Sequence, residues 1–256
     1  MQQKALKNIN RDMIYDYNSV KIFYQVFNKN KSRPIFLLHG WGCDGGIFKS
    51  LIENFPDKTF ITIDFPPFGR SDKHISDWNI FTYVGMFMSL CDHLNIEKCD
   101  IVGHSFGGRV AIITSAVKRS LVQSCILVDT AGLKPKRKIG FYLSKIKYNF
   151  YKKIGKDISG FGSKDYLALS PEMKTVFKNI VNVYLEDYAR KMKVKTLIVW
   201  GKEDSETPLY MGKRLNKLIK HSSLKVITNA GHFAFLDCPF HFYKLVNEFW
   251  EDPWQF

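Results

Sequence analysis

Three residues of this chain have side chains suited to acyl-transfer chemistry, and each sits beside a turn able to present it. Ser105 lies in Gly103-His104-Ser105-Phe106-Gly107, with glycine two residues before and two after. His232 follows Ala230-Gly231, and Asp204 ends Gly201-Lys202-Glu203-Asp204. A serine hydroxyl is a weak nucleophile at neutral pH and needs an adjacent base. That base needs a third group to fix its tautomer and stabilise its charged form. Serine, histidine and aspartate are the types that fill these roles. The glycines around Ser105 have a steric reason, since a residue at the apex of a sharp strand-to-helix turn is strained and neighbouring backbone passes close by.

These residues are far apart in sequence, so the surrounding elements must bring them together. Residues 98–102 read as a short apolar strand and 109–117 as a helix, which puts Ser105 at a helix N-terminus, where free N–H groups favour negative charge. Residues 13–27 alternate apolar and polar around Asn18-Ser19 and predict an antiparallel hairpin. The apolar run 34–38 predicts a buried parallel strand ending in His39-Gly40-Trp41-Gly42. Further strands are predicted at 59–63, 124–128, 195–200 and 224–227, and helices at 47–54, 77–94, 208–219 and 239–250. Such alternation implies an α/β fold with a doubly wound, mostly parallel sheet. Ligand groups gather at the carboxyl ends of strands in such a sheet, and His39-Gly40-Trp41, Ser105, Asp204 and His232 each fall at one. Two rivals for the acid are Glu203, beside Asp204, and Asp129, which ends the strand after the Ser105 helix.

Over about 13–250 the chain resembles the α/β-hydrolase fold superfamily. The resemblance is carried by His39-Gly40-Trp41-Gly42, the loop 64–72, Gly103 to Gly108, Trp200 to Asp204 followed by Pro208, and Ala230 to Phe233. It implies Ser105 as nucleophile, His232 as base and Asp204 as orienting acid, with the backbone N–H groups of Trp41 and Phe106 forming an oxyanion hole. It also implies hydrolysis of a carboxylic ester or thioester through an acyl-enzyme, with no metal or organic cofactor. Alternative activities on the same residues are carbon–carbon bond hydrolysis of the meta-cleavage type and cleavage of methyl esters or thioesters on an acyl carrier protein. A ligand-binding receptor on the same scaffold is the non-enzyme alternative. One departure is Pro67, which stands where the family usually has glycine and excludes a positive-φ turn at that residue.

The segment 133–192 breaks the strand–helix rhythm. In this fold an insert at that place commonly forms a helical cap, which leaves 1–132 and 193–256 as the hydrolase core. Ile139, Leu143, Ile146, Phe150 and Ile154 predict one apolar helix face, and residues from Val176 to Tyr188 predict another. Of the chain's 38 Lys and Arg, 16 lie between 133 and 195 with only five Asp and Glu, so most of the net charge of +14 belongs to this segment. A solvated face accounts for such a run. Steering of anionic or carrier-bound substrates, or contact with an anionic membrane surface, would use it. No nucleic-acid motif is present.

The 256 residues, 45% of them hydrophobic, suit one large domain with a substantial core. The first residues lack the apolar region of a secretory signal, and no run of about 18 apolar residues suggests a membrane span. Five scattered cysteines without C-x-x-C spacing predict reduced thiols in a cytoplasmic protein, with Cys43 and Cys238 inert. His104 reads as a packed turn residue and His39 as hydrogen-bonded to its own loop, while His74, His93, His221 and His241 lack metal-site spacing.

Overall fold

A computed structural model describes residues 11–29, 32–136, 150–151, 167 and 169–252. Asn18 and Ser19 both take positive φ, 53° and 66°, the pair of left-handed residues that a two-residue hairpin turn requires. They join β1 (Arg11–Tyr17) to β2 (Val20–Phe27) in register Tyr17 against Val20. β3 (Ile35–Leu38), β4 (Phe60–Ile63), β5 (Cys99–His104), β6 (Val122–Val128), β7 (Lys195–Gly201) and β8 (Ser222–Ile227) follow. The sheet order is β1-β2-β4-β3-β5-β6-β7-β8. Only the β1–β2 and β2–β4 pairings are antiparallel. This is the expected doubly wound sheet with its N-terminal hairpin.

Both faces of the sheet are covered, which is why its central strands read as unbroken apolar runs. Phe36, Ile61, Ile101, Leu127 and Ile198 face one core with Tyr83, Phe87 and Phe106. Leu37, Val102, Ile126, Leu197 and Val199 face the other with Phe48, Phe235, Phe242 and Phe249.

The helices among the described residues are α1 (Lys49–Asn54), α2 (Ile80–His93), α3 (Phe106–Val117), α4 (Pro171–Val181), α5 (Glu186–Lys191), α6 (Tyr210–Leu218), α7 (Ala234–Asp237) and α8 (Pro239–Glu251). Four expected starts shift by two or three residues, from 47 to 49, 77 to 80, 109 to 106 and 208 to 210, and the first two have a local cause. Gly45–Phe48 forms a 3-10 turn capped by Asp44, so α1 begins after it. Asp77 has φ 59° and Asn79 is the extended N-cap of α2, in a capping box with Thr82; the helix therefore starts three residues after Asp77.

In the 133–192 segment, the face expected to run from Val176 to Tyr188 on one helix is divided between α4 and α5. The division has a cause in the core. Arg109 of α3 donates from Nη1 to the carbonyls of Ile180 and Val183, each at 3.0 Å, and the Leu185 N–H turns to Gly132 O at 3.0 Å. Backbone groups that would have continued the helix are thus taken by the core. Of the earlier face only Phe150 is described, and it is exposed; Ile139, Leu143, Ile146 and Ile154 lie outside the described residues. In the basic run, Lys134 and Lys136 are described, while Arg137, Lys138, Lys145, Lys147, Lys152, Lys153 and Lys156 lie outside.

Candidate active site

Ser105 occupies the single residue between β5 and α3, with φ 48° and ψ −107°. For a residue other than glycine this is a strained conformation, worth about 1–3 kcal/mol. Neighbouring chain holds it there: Ser105 N–H donates to Val128 O at 3.0 Å, and Ala131 N–H donates to Ser105 O at 3.2 Å. The strand-to-helix reversal is so tight that a Cβ on Gly103 would stand 2.9 Å from Gly107 O and from Gly108 N.

β7 ends at Gly201, and the next turn carries Asp204; the loop after β8 carries His232. The three side chains converge. His232 Nδ1 lies 2.9 Å from Asp204 Oδ2 and His232 Nε2 lies 2.9 Å from Ser105 Oγ. A carboxylate only accepts, so Nδ1 carries the proton and Nε2 is left to accept from the serine hydroxyl. The imidazole is nearly buried, with 9% of its side chain exposed. Burial lowers its pKa, but the hydrogen bond and charge of Asp204, with Glu206 and Asp129 behind them, outweigh it and leave it raised. Burial pushes Asp204 up, while hydrogen bonds from His232 and Thr207 pull it further the other way, so it ends below the ordinary value.

Asp204 is fully engaged. Its Oδ1 accepts from the N–H groups of Glu206 (2.8 Å) and Thr207 (2.9 Å), and its Oδ2 accepts from Thr207 Oγ at 2.6 Å. The Trp200 indole fixes the same turn by donating to Thr207 O at 2.7 Å. Sequence alone does not single out Thr207; what marks the turn is Asp204, whose side chain accepts backbone N–H groups two and three residues on.

The rival acids are elsewhere. Asp129 contacts Gly201 N–H through Oδ1 (2.7 Å) and Ala234 N–H through Oδ2 (3.0 Å), so both its oxygens serve backbone. It ties the end of β7 to the loop of His232, and burial raises its pKa to about 7. Glu203 is exposed, with its N–H donating to Ala230 O at 2.9 Å. His104 donates from Nε2 to the backbone carbonyl of His232 at 2.7 Å, and burial lowers its pKa to about 3, so it acts as a neutral prop. His39 accepts from Phe65 N–H at Nε2 and donates to Gly40 O, both within 2.8 Å, and thereby joins its own loop to residues 64–72. In that second loop the Pro66–Pro67 bond is cis and the positive φ falls at Gly69, consistent with proline at 67.

A family model described as the alpha/beta hydrolase fold matches residues 33–180 and 134–239. The chain belongs to the α/β-hydrolase fold family. It is 25% identical over 250 residues to the uncharacterized hydrolase YugF of Bacillus subtilis, covering 86% of this chain and 90% of that protein. A solved structure of a membrane phospholipase A superposes with a TM-score of 0.79 at 20% identity, over 95% of this chain and 86% of that one. Est816, described as an N-acyl homoserine lactone degrading enzyme, superposes with a TM-score of 0.72 at 23% identity, over 93% of this chain and 100% of the other.

In this α/β-hydrolase a cavity of about 700 Å³ opens over Ser105. Trp41, Phe106 and Phe177 form its aromatic wall, with the Trp41 ring packed edge-on to both phenylalanines at 5.6 and 5.4 Å. Phe106 is the first residue of α3, so its N–H has no acceptor within the helix. Among the described residues, Arg109, Glu206 and His232 are the charged or titratable groups that reach the cavity besides His104. Cys43 is partly buried near Asp44 and Glu206, and burial first, then those carboxylates, raises its thiol away from the thiolate form. Among the described residues no three His, Cys, Asp or Glu are grouped to hold a metal ion, and no helix is long and apolar enough to cross a membrane.

Proposed function

We propose that this α/β-hydrolase cleaves a carboxylic ester or thioester through an acyl-enzyme on Ser105. The observation that carries the reading is the continuous chain Ser105 Oγ, His232, Asp204, with both links at 2.9 Å. His232 Nε2 takes the hydroxyl proton as Ser105 Oγ attacks the acyl carbonyl carbon, and the carbonyl π pair moves onto oxygen. The N–H groups of Trp41 and Phe106 receive that oxyanion; such donors contribute roughly 10²–10³-fold each. The intermediate collapses, the bond to the alkoxide or thiolate breaks, and the imidazolium returns its proton to that leaving group. A water molecule then gives a proton to His232 as it attacks the acyl carbon; the second intermediate collapses, the bond to Ser105 Oγ breaks, and the imidazolium returns the proton to Oγ as the acid leaves. Asp204 stabilises the imidazolium in both halves.

Residues 133–192 serve as the cap in this reading, with Leu169, Phe177, Ile180 and Val181 closing the cavity over the acyl group. A neighbour of the same fold named as a phospholipase A, and relatives named putative esterase/lipase, are in keeping with ester cleavage. The test is a panel of p-nitrophenyl esters of graded acyl length, assayed on wild type and Ser105→Ala, with fluorophosphonate labelling followed by peptide mass mapping. The expected result is a label on Ser105 and a loss of about four orders of magnitude or more in kcat/KM for the alanine variant. Turnover by Ser105→Ala at the wild-type rate removes the reading.

A further inference from the structure

A second carboxylate touches the imidazole on the side opposite Asp204. Glu206 Oε2 lies 3.3 Å from His232 Nε2, the same nitrogen that faces Ser105 Oγ at 2.9 Å. Its backbone is fixed, because Glu206 N–H donates to Asp204 Oδ1 at 2.8 Å. Its side chain is 57% exposed and lines the cavity with Gly40, Trp41 and Ser105. An ionised carboxylate has no proton to offer a neutral Nε2, so two lone pairs would face each other. The contact becomes attractive only when Nε2 carries a proton, that is, in the imidazolium.

We propose that Glu206 is a positioning and specificity residue of this site: its carboxylate accepts the Nε2–H of the imidazolium and turns anionic esters away from Ser105. The inference rests on the ester-hydrolase reading above and adds a preference by charge. Other charged or titratable groups facing the imidazole are Asp204 on the Nδ1 side, Asp129 at the end of β6 and His104 at the end of β5. Arg109 of α3 reaches the same cavity, with Nη1 held by the carbonyls of Ile180 and Val183. Among these described groups Glu206 alone combines contact with Nε2 and broad exposure, so of them it is the one an incoming ester meets.

The working base is the neutral imidazole. A negative charge beside Nε2 favours the protonated form, so the acidic limb of kcat/KM lies at higher pH with Glu206 than without it. The experiment compares wild type, Glu206→Gln and, as a control for net charge, Glu203→Gln. Three p-nitrophenyl esters of similar length serve as probes: neutral butyrate, the monoanionic glutarate and a cationic trimethylammonio-butyrate. In Glu206→Gln the acidic limb is expected to move to lower pH by about 0.5 to 1. The ratio of kcat/KM for glutarate over the cationic ester should rise about three- to tenfold at low salt, and less at about 1 M salt. Glu203→Gln should change neither. An active wild type whose pH profile and charge ratio are unmoved by Glu206→Gln, or moved equally by Glu203→Gln, overturns this inference alone. A wild type that hydrolyses none of the three and resists fluorophosphonate overturns the ester reading, and this inference falls with it.

Discussion

His232 sits between opposing influences, and the balance sets when the site works. Burial opposes its charge, yet Asp204 at 2.9 Å, joined by the charges of Glu206 and Asp129, more than compensates and raises its pKa above the ordinary histidine value. The base must be neutral to accept from Ser105, so activity should fall as pH drops through that raised pKa. The acidic limb of kcat/KM is thus expected above about pH 6.5, and a limb centred well below it would show that Asp204 does not act on the imidazole. Asp204→Asn keeps an oxygen for the N–H groups of Glu206 and Thr207 but can present an amide donor to Nδ1, favouring the wrong tautomer. A loss of about 10⁴ in kcat with unchanged thermal stability is expected, read by steady-state kinetics and a melting curve. At this scale the sequence announces Ser105, Asp204 and His232, because each stands at a strand end beside turn-forming residues. Thr207 and Glu206 are not announced: their importance depends on which way the Asp204 turn aims them, and that is fixed by the Trp200 indole and by hydrogen bonds local to the turn.

Elements of the core were legible wherever period and capping agreed, as at the Asn18-Ser19 hairpin and the buried β3. The split between α4 and α5 was not, because it is imposed by a residue 71 positions earlier in the chain, Arg109 reaching Ile180 O. Its guanidinium is buried, and burial lowers its pKa to about 10, so it remains charged at neutral pH. Arg109→Met would remove the donor and leave the carbonyls of Ile180 and Val183 without it. A destabilisation of about 2–3 kcal/mol is expected in urea unfolding at pH 7, with Arg109→Lys recovering part of it. Stability within about 0.5 kcal/mol of wild type would mean that this guanidinium does not fasten the 171–191 helices to the core. A second fastening adds to it: Glu186 accepts from Lys134 N–H at 2.9 Å and pairs with Arg214 of α6 at 2.9 Å.

On the scale of the molecule, the sheet places every catalytic candidate at one edge, and among the described residues α4 walls the cavity above them with Phe177, Ile180 and Val181. Strand order is set by pairings between distant segments. A mostly parallel sheet with an antiparallel N-terminal hairpin follows from apolar runs alternating with helical stretches, so that much of the fold could be read in advance. Cavity shape could not, since it depends on side chains meeting across elements, such as Phe177 of α4 against Trp41 of the loop after β3. That contact allows a direct test of acyl-length control. Each buried methylene contributes about 0.8 kcal/mol, roughly fourfold in kcat/KM, so activity on p-nitrophenyl esters should climb with acyl length until the cavity of about 700 Å³ is filled, then fall. Phe177→Ala removes a ring from the wall without touching Ser105, Asp204 or His232. The longest well-accepted acyl chain should therefore lengthen by about two carbons or more, while acetate turnover stays within about threefold of wild type. If Phe177→Ala instead lowers all chain lengths by one common factor, the ring supports the helix and does not measure the substrate.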